Sequence, residues 1–149
     1  MEYQERLGVP LRWWVQGTML IASLWLAVVV ALPAAIAWGV SALALALMSL
    51  GLLSYGSARV TVHDGVFRAG RARIGTVHLG TATALDPEET RRTAGRDADA
   101  RAYLVLRPYL KRAVRVQIED PRDPTPYWLV STRHPEELAR ALRAVATAE

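Results

Sequence analysis

The fold is decided by residues 13–55, which read WWVQGTMLIASLWLAVVVALPAAIAWGVSALALALMSLGLLSY and contain no charged side chain. A bilayer core of about 30 Å is crossed by roughly 20 helical residues, so the stretch is about twice as long as one span requires. Pro33 lies near its middle, and proline disfavours helical geometry in the residue before it. The stretch therefore predicts a transmembrane helical hairpin, with helices over residues 13–31 and 35–55 and a turn near Pro33. A cleavable signal peptide is the less favoured alternative, because its apolar region is shorter, about 7–15 residues.

The flanks of this stretch predict how it crosses the membrane. Arginines precede and follow it, whereas the turn near Pro33 carries no charge. Two spans put both chain ends on one side, and the positive-inside rule makes that side cytoplasmic. We therefore expect a multi-pass protein of the cell (plasma) membrane with cytoplasmic N and C termini. Aromatic side chains near the span ends are the expected interface anchors: Trp13, Trp14 and Tyr55 on the cytoplasmic side, and Trp38 near the opposite one.

The second helix of the hairpin is rich in small side chains from Gly39 through the 41–52 segment. Small residues let membrane helices approach closely. This face can pack against the first helix, or it can form a homodimer with a second copy of the chain. The sequence leaves both outcomes open.

After Arg59 the apolar run gives way to the alternation that is typical of short strands. Asp64-Gly65 is a strong signal for a tight hairpin turn. The prolines of residues 120–126, DPRDPTP, predict a rigid loop. The expected strands number about seven and are taken to be antiparallel: 60–63, 66–68, 72–74, 77–79 together with 81–85, 102–106, 113–119 and 127–131.

Two helical features complete this region. Residues 86–101, DPEETRRTAGRDADAR, are highly charged and predict about one helical turn followed by a mobile loop. Residues 135–147 predict a helix, since Pro135 suits the first helical position and Leu138, Leu142 and Val145 form one apolar stripe.

The predicted fold class is membrane α plus β. A juxtamembrane segment (residues 1–12) precedes the transmembrane hairpin (13–55), and an antiparallel, pleckstrin-homology-like β-domain (59–149) follows, closed by a C-terminal amphipathic helix. The pleckstrin-homology-like assignment is an analogy from element order. A generic antiparallel sheet with a packed helix is the alternative.

Four segments resemble a family of small actinobacterial membrane proteins catalogued only as a domain of unknown function. They are YQERL (residues 3–7), GRARI (70–74), ADARAYL (98–104) and DPRDPTPYWLVSTR (120–133). The resemblance implies a two-helix membrane protein with a cytoplasmic domain. It supplies no activity, ligand or catalytic residue. The chain is also more loosely similar to bacterial membrane proteins with pleckstrin-homology-like domains.

Residues that could carry catalysis are sparse. The chain has no cysteine, and His63, His78 and His134 are too far apart to show metal-ligand spacing. It has neither a glycine-rich phosphate loop nor a nucleophile elbow. We therefore expect no enzymatic activity, no cofactor and no metal.

Basic residues are the more informative candidates, because anionic head groups attract cytoplasmic Arg and Lys by about 1 kcal/mol each. Two groups are candidates to face lipid: Arg68, Arg71 and Arg73, and then Arg107, Lys111, Arg112 and Arg115. A solvated sheet face with internal salt bridges is the other interpretation. Nucleic acid binding is not expected, because acids are interspersed and no continuous basic stripe is present.

The leading functional hypothesis is a membrane-anchored, non-enzymatic interaction or scaffold module, with its soluble domain held at the inner leaflet. It predicts an unidentified membrane or cytoplasmic protein partner besides the lipid bilayer. The alternatives are an accessory subunit of a membrane enzyme or transporter, and a domain that binds anionic lipid head groups.

Overall fold

The computed structural model describes residues 2–148, and the chain forms two compact units. One unit is Gly8–Ser57. The other combines the N-terminal residues up to Leu7 with the chain from Ala58 onward. The end positions of the predicted ranges, residues 1 and 149, lie outside the described residues.

The first unit is a pair of helices, α1 (Leu11–Ala31) and α2 (Ala34–Tyr55), separated by Leu32 and Pro33. Both are long and apolar enough to cross a membrane. Ala37 and Ser41 are the buried residues of α2, so part of its small-residue face packs against α1. The two predicted helices and the turn at Pro33 are confirmed.

The second unit contains two four-stranded sheets. The first has the order β1-β2-β3-β4, with all neighbours antiparallel. The second has the order β5-β7-β8-β6. The strands are β1 (Tyr3–Arg6), β2 (Arg59–His63), β3 (Val66–Ala69), β4 (Ala72–Gly75), β5 (Leu79–Leu85), β6 (Tyr103–Val105), β7 (Ala113–Ile118) and β8 (Tyr127–Ser131).

Helices α3 (Pro87–Ala94) and α4 (Pro135–Ala146) complete the second unit. Leu138 and Leu142 of α4 are fully buried and Val145 is half-buried, which confirms the predicted apolar stripe. The core joins both sheets, since the ring of Phe67 on β3 lies 5.5 Å from that of Trp128 on β8. Tyr103 on β6 adds a third ring, 5.0 Å from Trp128.

Tight turns hold the first sheet in register. Asp64 and Gly65 both have positive φ angles, 49° and 69°, as a two-residue hairpin turn requires. Gly70 has a φ of 63° in the next two-residue turn. The hairpin predicted at Asp64-Gly65 is therefore confirmed.

The N-terminal segment differs from its prediction. Residues 1–12 are expected as a juxtamembrane segment, but Tyr3–Arg6 forms β1 and pairs with β2 from Tyr3 opposite Val62 to Arg6 opposite Arg59. The ladder continues with a hydrogen bond of 2.9 Å from Leu7 N to Ala58 O. The helical unit is thus an insertion between two neighbouring strands. YQER lacks apolar alternation, and its pairing partner comes more than fifty residues later in the chain.

The second sheet differs from the prediction in two respects. The strand expected over 77–79 is wrong, because Thr76–His78 forms a 3-10 turn and β5 begins at Leu79. Thr76 fixes this turn by donating from both its backbone N and its Oγ1 to Gly65 O. The sheet is also mixed, since β6 runs parallel to β8.

Helix α3 is longer than the single turn expected. Asp86 accepts a hydrogen bond from the Glu89 backbone, and the Glu89 side chain accepts one from the Asp86 backbone. This reciprocal cap satisfies two free donors at the start of the helix. It supports an eight-residue helix in a segment without large apolar side chains.

Candidate functional site

The outward surface of the β1–β4 sheet collects arginines. Gln4, Thr61, Arg68 and Arg73 are successive cross-strand partners and form one row across the four strands. The neighbouring row contains Arg6 opposite Arg59, and Arg71 lies in the turn before β4. We call Arg6, Arg59, Arg68, Arg71 and Arg73 the arginine face; all five are exposed.

Two pairs on this face lie directly opposite each other, Arg68 with Arg73 and Arg6 with Arg59. Ala69 pairs with Ala72 across the two-residue turn, and such a closing pair is hydrogen-bonded. The next pair, Arg68 with Arg73, is therefore a non-hydrogen-bonded one, in which Cα atoms approach to about 4.5 Å. Like charges placed directly opposite destabilise a sheet. Within residues 2–148, no carboxylate forms an ion pair with the arginine face.

The acidic residues at the edge of the arginine face contact His63 instead of the arginines. His63 Nδ1 lies 2.8 Å from Glu2 Oε1, and His63 Nε2 lies 2.9 Å from Asp64 Oδ2. Beside them a depression of about 510 Å³ opens over β1, β2 and β3. Its lining includes Gln4, Thr61 and Arg68.

The second predicted basic group does not act as one set. Arg112 pairs with Glu136 at 3.5 Å. Arg115 lies over the ring of Tyr127, 5.7 Å from its centroid. Arg107 donates its backbone N–H to Ser131 Oγ and its guanidinium to Leu106 O, while Lys111 is exposed. Arg107, Arg112 and Arg115 thus have contacts within the domain.

The predicted interface aromatics fall into two places in the helical unit. Trp13 and Tyr55 stack with ring centroids 6.4 Å apart, and Trp14 follows Trp13 in α1. Trp38 instead contacts Trp25, at 5.2 Å. Trp25, Trp38 and Ser41 line an apolar groove of about 380 Å³.

A buried polar cluster lies on the opposite side of β1. The side chain of Glu5 is only 8% exposed and accepts hydrogen bonds from Tyr3 OH, Thr132 Oγ1 and the backbone N of Arg133. The Arg133 guanidinium is 3.6 Å away. We call Tyr3, Glu5, Thr132 and Arg133 the Glu5 cluster.

The polar side chains of the Glu5 cluster hydrogen-bond to one another. Burial, together with hydrogen bonding to the negative Glu5, raises the pKa of Tyr3 above its usual range. Thr132 Oγ1 also accepts from the backbone N of His134, the residue before α4. A carboxylate with this many donors is stabilised and is held in place. The cluster therefore fastens β1 to the entrance of α4.

Other ionisable groups are engaged locally. Hydrogen bonds from Arg101 lower the pKa of Asp99, and bonds from Thr125 lower the pKa of Asp123. No group of three metal-ligating side chains occurs in the part of the chain that the structure describes. The absence of enzymatic, cofactor and metal functions stays a prediction.

Sequence reasoning found part of the arginine face and missed the rest. The sequence singles out Arg68, Arg71 and Arg73 but not Arg6 and Arg59, nor Gln4 and Thr61 of the adjoining row. Gln4 and Arg6 reach this surface only because they lie on β1, which sequence patterns do not predict. The Glu5 cluster was missed for the same reason, although two segments that carry the family resemblance, residues 3–7 and 120–133, meet in it.

Comparison with known proteins gives a family and no activity. The family model described as "Protein of unknown function (DUF3093)" matches residues 2–142. No curated protein and no solved structure matches the chain. Because the match spans most of the sequence, the chain belongs to this family, and the predicted resemblance to a family of unknown function is confirmed.

Proposed function

We propose that this member of the DUF3093 family is a membrane-anchored, non-enzymatic interaction module, held by α1 and α2 at the inner leaflet of the cell membrane. The arginine face is its contact surface for an anionic partner. The observation that carries the proposal is the opposed pair Arg68 and Arg73, which has no carboxylate partner in residues 2–148.

The pair supports this proposal because it costs stability. Two guanidinium groups on facing positions repel each other, by up to about 1 kcal/mol relative to neutral residues. An anion that lies between them removes the repulsion and gains charge-assisted hydrogen bonds. A sheet that needed only solubility could alternate acids with these arginines.

The chain itself supports a location near the membrane. Arg59 follows the last residue of α2 by four positions, and an extended chain covers at most about 3.5 Å per residue. The backbone of Arg59 is therefore within about 14 Å of the helix end. The positive-inside rule gives the cytoplasmic orientation.

In-cell photo-crosslinking tests the proposal. A photoreactive residue at Thr61, the cross-strand neighbour of Arg68, should give a reproducible crosslinked partner. The same residue at the exposed Thr83 of β5 is the matched control. Charge reversal by Arg68→Glu with Arg73→Glu should abolish the Thr61 crosslink. Identical crosslinks from both positions, or crosslinks that survive the charge reversal, would contradict the proposal.

An accessory subunit of a membrane enzyme or transporter is the second candidate, and the helical unit favours it. Trp25 Nε1 and Ser41 Oγ are buried and have no hydrogen-bond partner among the described residues. Both atoms are enclosed by the helix pair itself. The surface open to another membrane helix is the apolar groove that Trp25 and Ser41 line, since small and apolar faces let membrane helices pack closely. A second copy of α2, as in the predicted homodimer, is one source of that helix.

Co-purification in mild detergent tests this candidate. Trp25→Phe with Ser41→Ala should release a stoichiometric membrane partner, whereas Leu20→Ala, on an exposed position of α1, should keep it. A lone wild-type chain in detergent would argue against the accessory-subunit function.

A further inference from the structure

We infer that the row Gln4, Thr61, Arg68 and Arg73 binds a phosphate group, supplied by the head group of an anionic phospholipid. The inference rests on the proposed function of the arginine face and names its ligand.

The four side chains are chemically matched to phosphate. An amide, a hydroxyl and two guanidinium groups all donate hydrogen bonds, and no carboxylate interrupts the row. Neighbouring strands lie about 4.8 Å apart, so the row spans about 14 Å across the sheet. Guanidinium groups bind phosphate oxygens in a bidentate fork, and a facing pair can hold one phosphate from both sides.

Charge is graded along the strands. Arg6 and Arg59 stand at the end of the sheet where the chain continues through Leu7 and from Ala58. Glu2, His63 and Asp64 stand at the other end, and both carboxylates contact the imidazole there. The acids closest to the row thus both contact His63 and not an arginine of the row.

Space for a ligand exists beside the row. The depression over β1, β2 and β3 measures about 510 Å³. Its lining includes Gln4, Thr61 and Arg68 of the row and also Glu2, whereas Arg73 is not among the lining residues. Small-molecule sites range from about 300 to 1,000 Å³, so a phosphodiester head group fits.

A lipid is favoured over an acidic protein by tethering. Arg6 precedes the first residue of α1 by five positions, and Arg59 follows the last residue of α2 by four. Both arginines are therefore held within about 18 Å of a helix end by chain length alone. Anionic lipids are permanently present at that distance, whereas a protein partner has to be recruited.

The experiment measures lipid affinity and its location in the full-length protein. Phosphatidylglycerol or phosphatidylcholine is titrated into the detergent-solubilised chain and followed by native mass spectrometry. Hydrogen exchange in nanodiscs of the same lipids locates the protection. Each arginine near an anionic surface contributes about fivefold, so Arg68→Gln with Arg73→Gln should weaken phosphatidylglycerol binding about thirtyfold. As a control, Arg91→Gln with Arg140→Gln removes two exposed charges from α3 and α4. This variant should keep the affinity for phosphatidylglycerol within about twofold of wild type.

Charge and geometry are separated by Arg68→Lys with Arg73→Lys. This variant keeps both charges and loses the guanidinium forks, so its affinity should fall between wild type and the glutamine variant. Protection of residues 66–75 by phosphatidylglycerol, and not by phosphatidylcholine, supports the site. Inorganic phosphate at about 10 mM, roughly a hundred times a weak Kd, is added to phosphatidylcholine nanodiscs to test whether the phosphate has to come from a lipid. Protection of residues 66–75 equal to that by phosphatidylglycerol would overturn the lipid assignment and keep the phosphate site.

The inference is overturned if phosphatidylglycerol gives no protection, or if the glutamine and control variants lose affinity equally. Failure here is distinguishable from failure of the proposed function. A Thr61 crosslink to an acidic protein that disappears on charge reversal would preserve the interaction module while excluding its lipid ligand.

Discussion

The two sides of the β1–β4 sheet use charge in opposite ways, and the difference begins within four residues of β1. Glu5 points inward and receives three hydrogen bonds, whereas Arg6 points outward and has no ion pair among the described residues. On β3, Phe67 is fully buried while Arg68 is exposed. The inward side therefore contributes stability, whereas the arginines of the outward side have no ion pair among the described residues.

The largest effect should come from the inward side of β3. Phe67→Ala removes a fully buried ring that contacts Trp128 and should cost about 4 kcal/mol of the free energy of unfolding. Urea titration in detergent measures it through Trp128 fluorescence, with the four helix tryptophans replaced by phenylalanine. Val66→Ala, one residue away and exposed, should cost under about 0.5 kcal/mol. Equal costs would mean that the two sides are not distinct.

The Glu5 cluster should come next. Glu5→Gln keeps the shape but replaces an acceptor of three hydrogen bonds by an amide, and should cost about 3 kcal/mol. The same urea titration measures this. Gln4→Ala, on the outward side of β1, should stay within about 0.5 kcal/mol of wild type. A neutral result for Glu5→Gln would show that β1 is held by its backbone ladder alone.

Alkaline pH should weaken the inward side specifically. The pKa of Tyr3 is raised by burial and by Glu5, so the unfolded chain loses this proton first as pH rises past its ordinary value near 10. The stability that Tyr3 contributes is complete below that pH and declines above it. Tyr3→Phe should flatten the decline in unfolding free energy between about pH 9 and pH 11. A slope unchanged from wild type would place the alkaline sensitivity elsewhere.

The smallest change in unfolding free energy should be a gain in stability, whereas the preceding substitutions cause losses. Arg68→Gln with Arg73→Gln relieves a repulsion between facing charges and should raise the unfolding free energy by about 0.5 kcal/mol at low salt. High salt screens the repulsion and should remove the gain. A loss of stability instead would assign these arginines a structural role.

Sequence patterns predicted the elements that depend on local information. Run length predicted α1 and α2, alternation predicted β2 and β7, and the Asp64-Gly65 pair predicted its turn. What failed depends on distant contacts. Tyr3–Arg6 forms a strand because its backbone pairs with the edge of β2. The parallel pairing of β6 with β8 depends on the order of the strands in space.

The same distinction applies to the site. The two-residue turn at Gly70-Arg71 places Arg68 opposite Arg73. Because the turn is short, the spacing of these residues in the sequence is enough to suggest this pairing. Arg112 and Arg115 looked equivalent to them, but Glu136 and the ring of Tyr127 engage these side chains. Whether a basic residue is available depends on what the fold places beside it, which spacing alone does not reveal.

The hydrogen bond from Leu7 N to Ala58 O has a consequence for protein engineering. Seen from the sheet, Gly8–Ser57 occupies the place of the turn that joins two antiparallel strands. Replacing that segment with Asn-Gly, a sequence suited to a two-residue turn, shortens the gene by about one third without breaking a strand. The helical unit and the β-domain are therefore separable by excision, while deletion of the N terminus together with the helices would remove β1 and Glu5 from the domain.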